Sequence, residues 1–259
     1  MIIIRELTHN VDLCVVGGGM AGLCAAVAAA RHGAKVALIH DRPMPGGNAS
    51  SEVRMWIRGA HGDNNLETGI LEEIQLENLY RNPTANYSIW DSILYEKARF
   101  QENLTLLLNC SCAGLEMDGR SIRSVSAWQL TNETRHQVNA RLFADCSGDA
   151  ILAPLSGAEF RVGREAASEF NEDIEPPVAD RKTMGMSCLI QARETPRPQP
   201  FIPPAWAHVY ASDADLPHRS HDILKARMNF WWLEVGGEND SIHDTEALRD
   251  ELLKMAFGV

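Results

Sequence analysis

No uninterrupted apolar run in this chain of 259 residues approaches the ~20 residues that cross a bilayer as a helix, so no transmembrane segment is expected. The opening Met1–Glu6 has no basic stretch ahead of a long apolar core, so no signal peptide is expected and a cytoplasmic location is. Basic charge is scarce as well. The 24 Lys and Arg residues face 35 Asp and Glu, for a net charge of −11 and a pI near 5.3. That balance argues against a general nucleic-acid or anionic-membrane surface. A small anionic ligand stays open, because backbone amides and helix dipoles act locally. The six cysteines include no CxxC pair of metal-binding type, and no metal site is expected. Cys110 and Cys112 would share one face of a strand, yet buried free thiols in a reducing compartment are the simpler reading.

What the chain does have begins at Asp12. A short apolar run leads into Gly17, Gly19 and Gly22 at G-x-G-x-x-G spacing, and an alanine-rich helix follows. Gly17 permits a tight turn, and Gly19 lets a phosphate approach the backbone with no Cβ in the way. Gly22 and Ala26 allow the helix to pack close to the strand. Met20, Ala21 and Gly22 open that helix, where N–H groups without intrahelical partners attract an anion. A first strand over 12–16, a helix over 20–32 ended by Gly33, and a second strand over 35–40 make a βαβ unit. His40, Asp41 and Arg42 close it about 20 residues after the glycines, where a carboxylate can accept from a ribose diol.

Further on, Pro43–Asn48 is a second glycine turn containing Gly46, Gly47 and Asn48, and Ser50–Glu52 resembles a helix start. Apolar spacing predicts helices over 66–80 and 90–103. Leu104–Cys112 reads as a third parallel strand. Short strands with turn signals over 113–145 make an antiparallel meander, and Asp145–Asp149 then runs through Ser147 and Gly148 into a helix over 150–156. In that turn small residues let a cofactor chain lie close, with Asp149 at the helix start; a plain turn with Asp149 as N-cap is the alternative. Prolines between 176 and 204 mark connecting loops. Met184–Ala192 and Asn229–Val235 are strand candidates, and a helix over 245–257 is capped by Ser241 or Asp244.

Val15–Gly22, Asp41–Asn48, Asp145–Asp149 and Gly163–Ala166 together resemble the FAD-dependent oxidoreductases whose flavin domain has a glutathione-reductase-like fold, in particular the bacterial branch described simply by that phrase. The resemblance spans nearly the whole chain. It implies that Gly17, Gly19 and Gly22 lie along the FAD pyrophosphate and that Gly47 and Asn48 lie near the pyrophosphate or flavin. It also implies that the backbone at Cys112 and Ala113 faces the adenine, and that Asp149 faces the ribityl-pyrophosphate portion. Many members carry Glu as the last residue of the second strand. Here that position is His40 with Asp41 next, so His40, Asp41 and Arg42 all stand as candidates for the adenosine ribose.

If the Gly46–Asn48 turn meets the flavin, Glu52–Gly62 lines its reactive side. That segment offers Arg54 and Arg58 for an anionic or hydroxylated substrate, Trp56 for stacking and His61 as a proton acceptor. The plainer alternative pairs Arg54 with Glu52 or Asp63 and leaves His61 capping a loop. Arg164 and Glu165 read as a surface ion pair, Trp231 and Trp232 as core, and the acidic run from Glu234 to Asp244 as a solvated loop.

The fold expected is α/β: a Rossmann-like parallel sheet with an antiparallel β-meander, plus the start of a β-containing substrate domain. The FAD-binding domain would cover 1–165, with a helical insertion at about 50–103 and the meander at about 113–145; a partial substrate domain would cover 166–259. The chain's end at Ala256–Val259 reads as that of a fragment or of a C-terminally shortened member. The reaction expected is hydride transfer between a small-molecule substrate and flavin N5. A nicotinamide-dependent dehydrogenase and a non-catalytic dinucleotide-binding fragment are the alternatives.

Overall fold

The computed structural model describes residues 4–55, 57, 59–60, 62–63, 65–191, 195–215 and 230–259. The chain divides into two compact units, Met1–Phe160 and Arg161–Val259.

The first unit is built on a six-stranded sheet of order β3-β2-β1-β6-β5-β4. Its strands are β1 (Arg5–Val16), β2 (Val36–Ile39), β3 (Leu104–Leu107), β4 (Cys110–Asp118), β5 (Ser121–Gln129) and β6 (Thr134–Asp145). β3, β2, β1 and β6 run parallel, and β4, β5 and β6 form the antiparallel meander. Every residue of β2 is buried, as a strand covered on both faces requires.

Alternation along β1 and β2 divides the core. Val15, Val36 and Leu38 face α1 (Met20–Arg31), α2 (Gly69–Arg81) and α3 (Tyr87–Arg99), through Leu23, Val27, Ile74, Ile93 and Leu94. Cys14, Val16, Ala37 and Ile39 point the other way, onto Val125, Ala127 and Val138 of the meander and Leu152 of α4 (Leu152–Ser156). The period of two thus puts neighbouring residues of one strand into separate apolar layers.

Several boundaries differ from the sequence expectations, each for a local reason. β1 starts at Arg5 because the long β6 offers partners from Arg5↔Thr134 through Val16↔Asp145. The run 104–112 is interrupted at Leu108 and Asn109, where Asn109 takes φ +51, so Cys112 belongs to β4 and not to the third parallel strand. In β4 the pairing passes from Cys112↔Ala127 to Gly114↔Ser126, which leaves Ala113 as the extra residue of a β-bulge. Ser50 starts no helix: its hydroxyl donates to the Gly47 carbonyl at 2.8 Å and closes a turn.

The second unit pairs β7 (Met186–Gln191) with β8 (Phe230–Val235) antiparallel. Leu252 of α6 (Thr245–Gly258) packs on Leu233, with Met186, Cys188 and Val235 around them. A short helix, α5 (Ala167–Phe170), precedes this pair. Arg164 pairs with Asp180, not with Glu165, because the two residues also exchange backbone hydrogen bonds at 3.0 Å. Asp244 stands at the α6 N-cap without a side-chain bond, and Asp240 orders that corner by accepting from the N–H groups of Ile242 and His243.

Candidate functional site

Three turns of the first unit meet at the C-terminal ends of β1, β2 and β6. The first is the 17–22 glycine turn. Gly17 takes φ +103, and a Cβ there would stand 2.2 Å from the Cys146 carbonyl oxygen; a Cβ on Gly22 would stand 1.8 Å from the carbonyl oxygen of Gly17. Both glycines are therefore required by the packing of the turn itself. Gly19 differs, since a Cβ there would meet nothing within 4 Å. It occupies the N-cap of α1 with no side-chain cap, and the first turn of that helix carries no acidic residue. Met20 and Ala21 thus begin a helix whose start has no side-chain cap and whose positive dipole end is not offset by an acidic side chain in its first turn.

The second turn lies directly on the first. The Gly46 N–H donates to the Gly18 carbonyl at 2.8 Å, Gly46 bridges to Gly19, and a Cβ on Gly47 would come 3.1 Å from Gly19 Cα. Between the two turns sits His40. Its Nδ1 accepts from the Gly18 N–H at 2.9 Å, and its Nε2–H donates to the Met44 carbonyl at 2.9 Å. This places the ring in the Nε2–H tautomer. Burial pushes the His40 pKa down, against the pull of Asp41 and the Met44 carbonyl.

The side chain of His40 is 5% exposed while that of Asp41 is 61% exposed, so these two candidates for the ribose are in opposite situations. Both ring nitrogens of His40 already serve the turns. Asp41 and Arg42 reach solvent, with Arg42 3.9 Å from Asp41 and 4.0 Å from Glu52. Asn48 is exposed too, and its carbonyl accepts from the Met55 N–H at 2.9 Å.

The third turn is organised by a residue the sequence reading passed over. Asp145 Oδ1 accepts from the Ser147 N–H at 3.1 Å and from the Ser147 hydroxyl at 2.7 Å, while Oδ2 accepts from the Leu152 N–H at 2.7 Å. Ser147 in turn accepts from the Ile151 N–H at 3.0 Å. The signal was present as an Asp followed two residues later by Ser, a pattern that closes an Asx-type turn. With Asp145 and Ser147 supplying the cap, Asp149 is left exposed beyond Gly148, which takes φ +92. The Cys146 N–H donates to the Val16 carbonyl at 2.7 Å, which ties this turn to the first.

Cys112 lies near Asp145, whose charge adds to burial in raising the thiol pKa. Burial, with the neighbouring thiols, pushes Cys14 and Cys110 up to about 12, so these are inert apolar groups at neutral pH.

With this geometry in place, the sequence match is decisive. The family described as FAD dependent oxidoreductase matches residues 12–244. The chain belongs to that family. No curated protein sequence matches it. Solved structures similar to this FAD-dependent oxidoreductase family member include L-proline dehydrogenase from P. horikoshii, at 18% identity and a TM-score of 0.35 over 55% of this chain and 23% of that one. The p-nitrophenol 4-monooxygenase of Pseudomonas putida matches at 14% identity and 0.38, over 60% and 44%. A flavocytochrome c3 fumarate reductase in its open conformation matches at 18% and 0.39, over 53% and 33%. The chain thus spans less than half the length of each of these proteins.

Within this family member, the segment after the second turn borders a cavity of about 210 Å³ lined by Ala49, Met55, Ile57, Asn78, Tyr87 and Trp90, among others. Trp90 fixes one wall by donating to the Ala49 carbonyl at 2.7 Å. Arg54 takes φ +63 and its carbonyl accepts from the Tyr87 hydroxyl at 2.8 Å. His61, Trp56 and Arg58 lie outside the described residues. Among the described residues, no helix is long and apolar enough to cross a membrane.

Proposed function

We propose that this chain is the flavin-binding part of an FAD-dependent oxidoreductase acting on a small-molecule substrate. The observation that carries this reading is that the other two turns close on the Gly17–Gly22 turn, at Gly17 and at Gly18–Gly19, and leave open space for a Cβ on Gly19 at an uncapped helix start. Such a start supplies N–H groups and a partial positive charge to a pyrophosphate without any basic side chain. The net charge of −11 is then no obstacle. Gly17 and Gly22 hold the turn shape, Gly46 and Gly47 cover its far side, and Asp145 and Ser147 set the third turn. Exposed Asp41 is positioned for a ribose hydroxyl, and Asp149 for a ribityl hydroxyl or a water-bridged phosphate. The bound cofactor supplies the redox chemistry, and the protein supplies binding, orientation and electrostatics.

The donor set fits FAD better than a nicotinamide dinucleotide. A nicotinamide site needs the first glycine turn but neither the Gly46–Gly47 turn nor the Asp145–Asp149 turn. Purified protein should carry flavin absorption, or gain it on addition of micromolar FAD. A colourless protein that takes up NAD(H) and leaves FAD free would overturn the assignment. Photoreduction of the bound flavin followed by a screen of electron acceptors would separate a competent enzyme from a passive binder.

A further inference from the structure

The imidazole of His40 faces the first glycine turn, and its two hydrogen bonds require the neutral ring. Nδ1 must keep its lone pair to accept from the Gly18 N–H at 2.9 Å, while Nε2–H holds the Met44 carbonyl at 2.9 Å. A third group stands close by: Asp41 Oδ1 lies 3.5 Å from the same Nδ1. A proton on Nδ1 would face the Gly18 N–H as donor against donor and would be drawn to the Asp41 carboxylate.

The surroundings limit what else can act on the ring. Glu52, from the turn after Gly47–Ala49, favours the proton, and Arg42 opposes it. The glycine turn and the Met44–Gly46 segment offer it backbone groups alone. β3 contributes the Leu107 carbonyl, which accepts from the His40 N–H at 2.9 Å, and Cys110 of β4 donates its N–H to the His40 carbonyl at 2.9 Å. Ring and turn are in van der Waals contact as well, because a Cβ on Gly18 would fall 2.7 Å from His40 Cγ. The central glycine of the Gly17–Gly19 run is therefore explained by His40.

We propose that His40 is a positioning residue that links dinucleotide loading to proton concentration: the neutral ring holds Gly18 and the phosphate-facing turn in shape, and protonation releases Gly18 in favour of Asp41. The link rests on the reading of these turns as the FAD site. Asp41 would be drawn from the ribose in the same step. The sign follows from the loaded state preferring the neutral ring. Affinity is full above the pKa of His40 in the unliganded protein and falls as pH drops through it, by up to about tenfold per pH unit.

The experiment titrates FAD into the full chain from about pH 8 to about pH 4, a window that reaches well below the ordinary histidine value because burial pushes His40 down. Flavin fluorescence is followed for the wild type and for His40→Gln, whose amide offers a donor and an acceptor but does not titrate. The expected result is a Kd that rises on acidification in the wild type and stays flat in the variant. Equal slopes in the two proteins, or no slope in the wild type, overturn the link. Nitrogen NMR of the unliganded wild type follows the His40 ring and the Gly18 amide together, independently of how the variant folds. One shared titration is expected, and a Gly18 amide indifferent to His40 protonation overturns the proposal. A wild type that takes up no FAD at any pH sinks the cofactor reading and the loading link with it. FAD uptake without a His40-dependent slope sinks the link alone.

Discussion

The carbonyl oxygen of Cys146 lies 2.2 Å from where a Cβ on Gly17 would stand. The end of β6 is thereby closed onto the end of β1, and the Cys146 N–H donates to the Val16 carbonyl at 2.7 Å in the same contact. Gly17→Ala would have to move this backbone and also hold alanine at φ +103. The strained conformation alone costs about 1–3 kcal/mol, and the clash adds to it. We expect Gly17→Ala to lower the denaturant midpoint sharply and to abolish FAD uptake, and an unchanged urea transition would count against the packing described here.

Gly19→Ala makes the opposite forecast. The position has φ −62 and ψ 180, which alanine adopts freely, and open space on the Cβ side. Replacing an N-cap glycine by alanine costs at most about 1 kcal/mol of stability. The added methyl would instead occupy the approach to the helix start. The expected outcome is a folded protein with weakened FAD affinity, read by comparing thermal melts with FAD titrations of the same sample. Equal FAD affinity in wild type and variant would mean that the phosphates approach from elsewhere.

The contrast between Asp145 and Asp149 gives a third test. Both carboxylates are exposed, but Asp145 accepts from Ser147 twice and from the Leu152 N–H. Two of the Asp145 bonds are exposed and the one to the Leu152 N–H is part-buried, so losing them costs about 1 kcal/mol, the low end for unsatisfied donors. Asp145→Ala should therefore destabilise the protein by about 1 kcal/mol through the lost bonds, while Asp149→Ala should stay within about 0.5 kcal/mol of wild type, as surface changes away from such bonds do. Only the Asp149 variant is expected to lose FAD affinity while the stability remains. Urea denaturation of both variants decides the matter.

Much of this was legible in the residues themselves, because each legible feature rests on a local rule. The glycine spacing at 17–22 needs only the sterics of one turn, and the buried run Val36–Ile39 needs only its apolar content. The two-layer split of β1 follows from a period of two. What stayed hidden depends on partners distant in sequence. β1 extends back to Arg5 because β6, more than a hundred residues later, supplies the matching edge. His40 looked like a ribose residue by its place after β2, and its ring turns inward because Gly18 leaves room and an N–H to bond. The bulge at Ala113 depends on the register against β5, which no short window of sequence contains.

Glu73 joins α2 to its neighbours and sets an acid limit. It pairs with Arg31 and Lys97 at 2.6 Å each, and those two hydrogen-bonded cations hold its carboxyl at about 2. A carboxyl whose pKa is lower in the folded protein stabilises the fold above its ordinary pKa near 4.5, and that contribution is lost as pH falls from there toward about 2. The side chain is 38% exposed, so solvent screening reduces the effect to about 1 kcal/mol or less. Glu73→Gln should narrow the stability difference between about pH 6 and about pH 3, measured by urea unfolding at low salt, and should leave FAD binding unchanged.

His9 and His136 give the last test, at the opposite end of β1 from the glycine turn. His9 Nε2 and His136 Nδ1 are 2.9 Å apart with the rings stacked, and His136 Nε2 bonds Gln129 Oε1 at 3.0 Å. The chain is consistent when His9 donates to His136 and His136 donates to Gln129, with both rings neutral. Burial lowers the pKa of each, and for His136 the neighbouring His9 and Arg5 lower it further. Between those lowered values and the ordinary 6.5, the unfolded chain binds protons that the folded one does not, so stability falls as pH drops through that window. His136→Gln removes one titrating ring and keeps an amide able to bond on both sides. It should flatten the pH dependence of the urea midpoint below about pH 6.5 without altering the proton dependence of FAD binding. A midpoint that still falls as steeply in the variant would show that the proton uptake lies elsewhere in the fold.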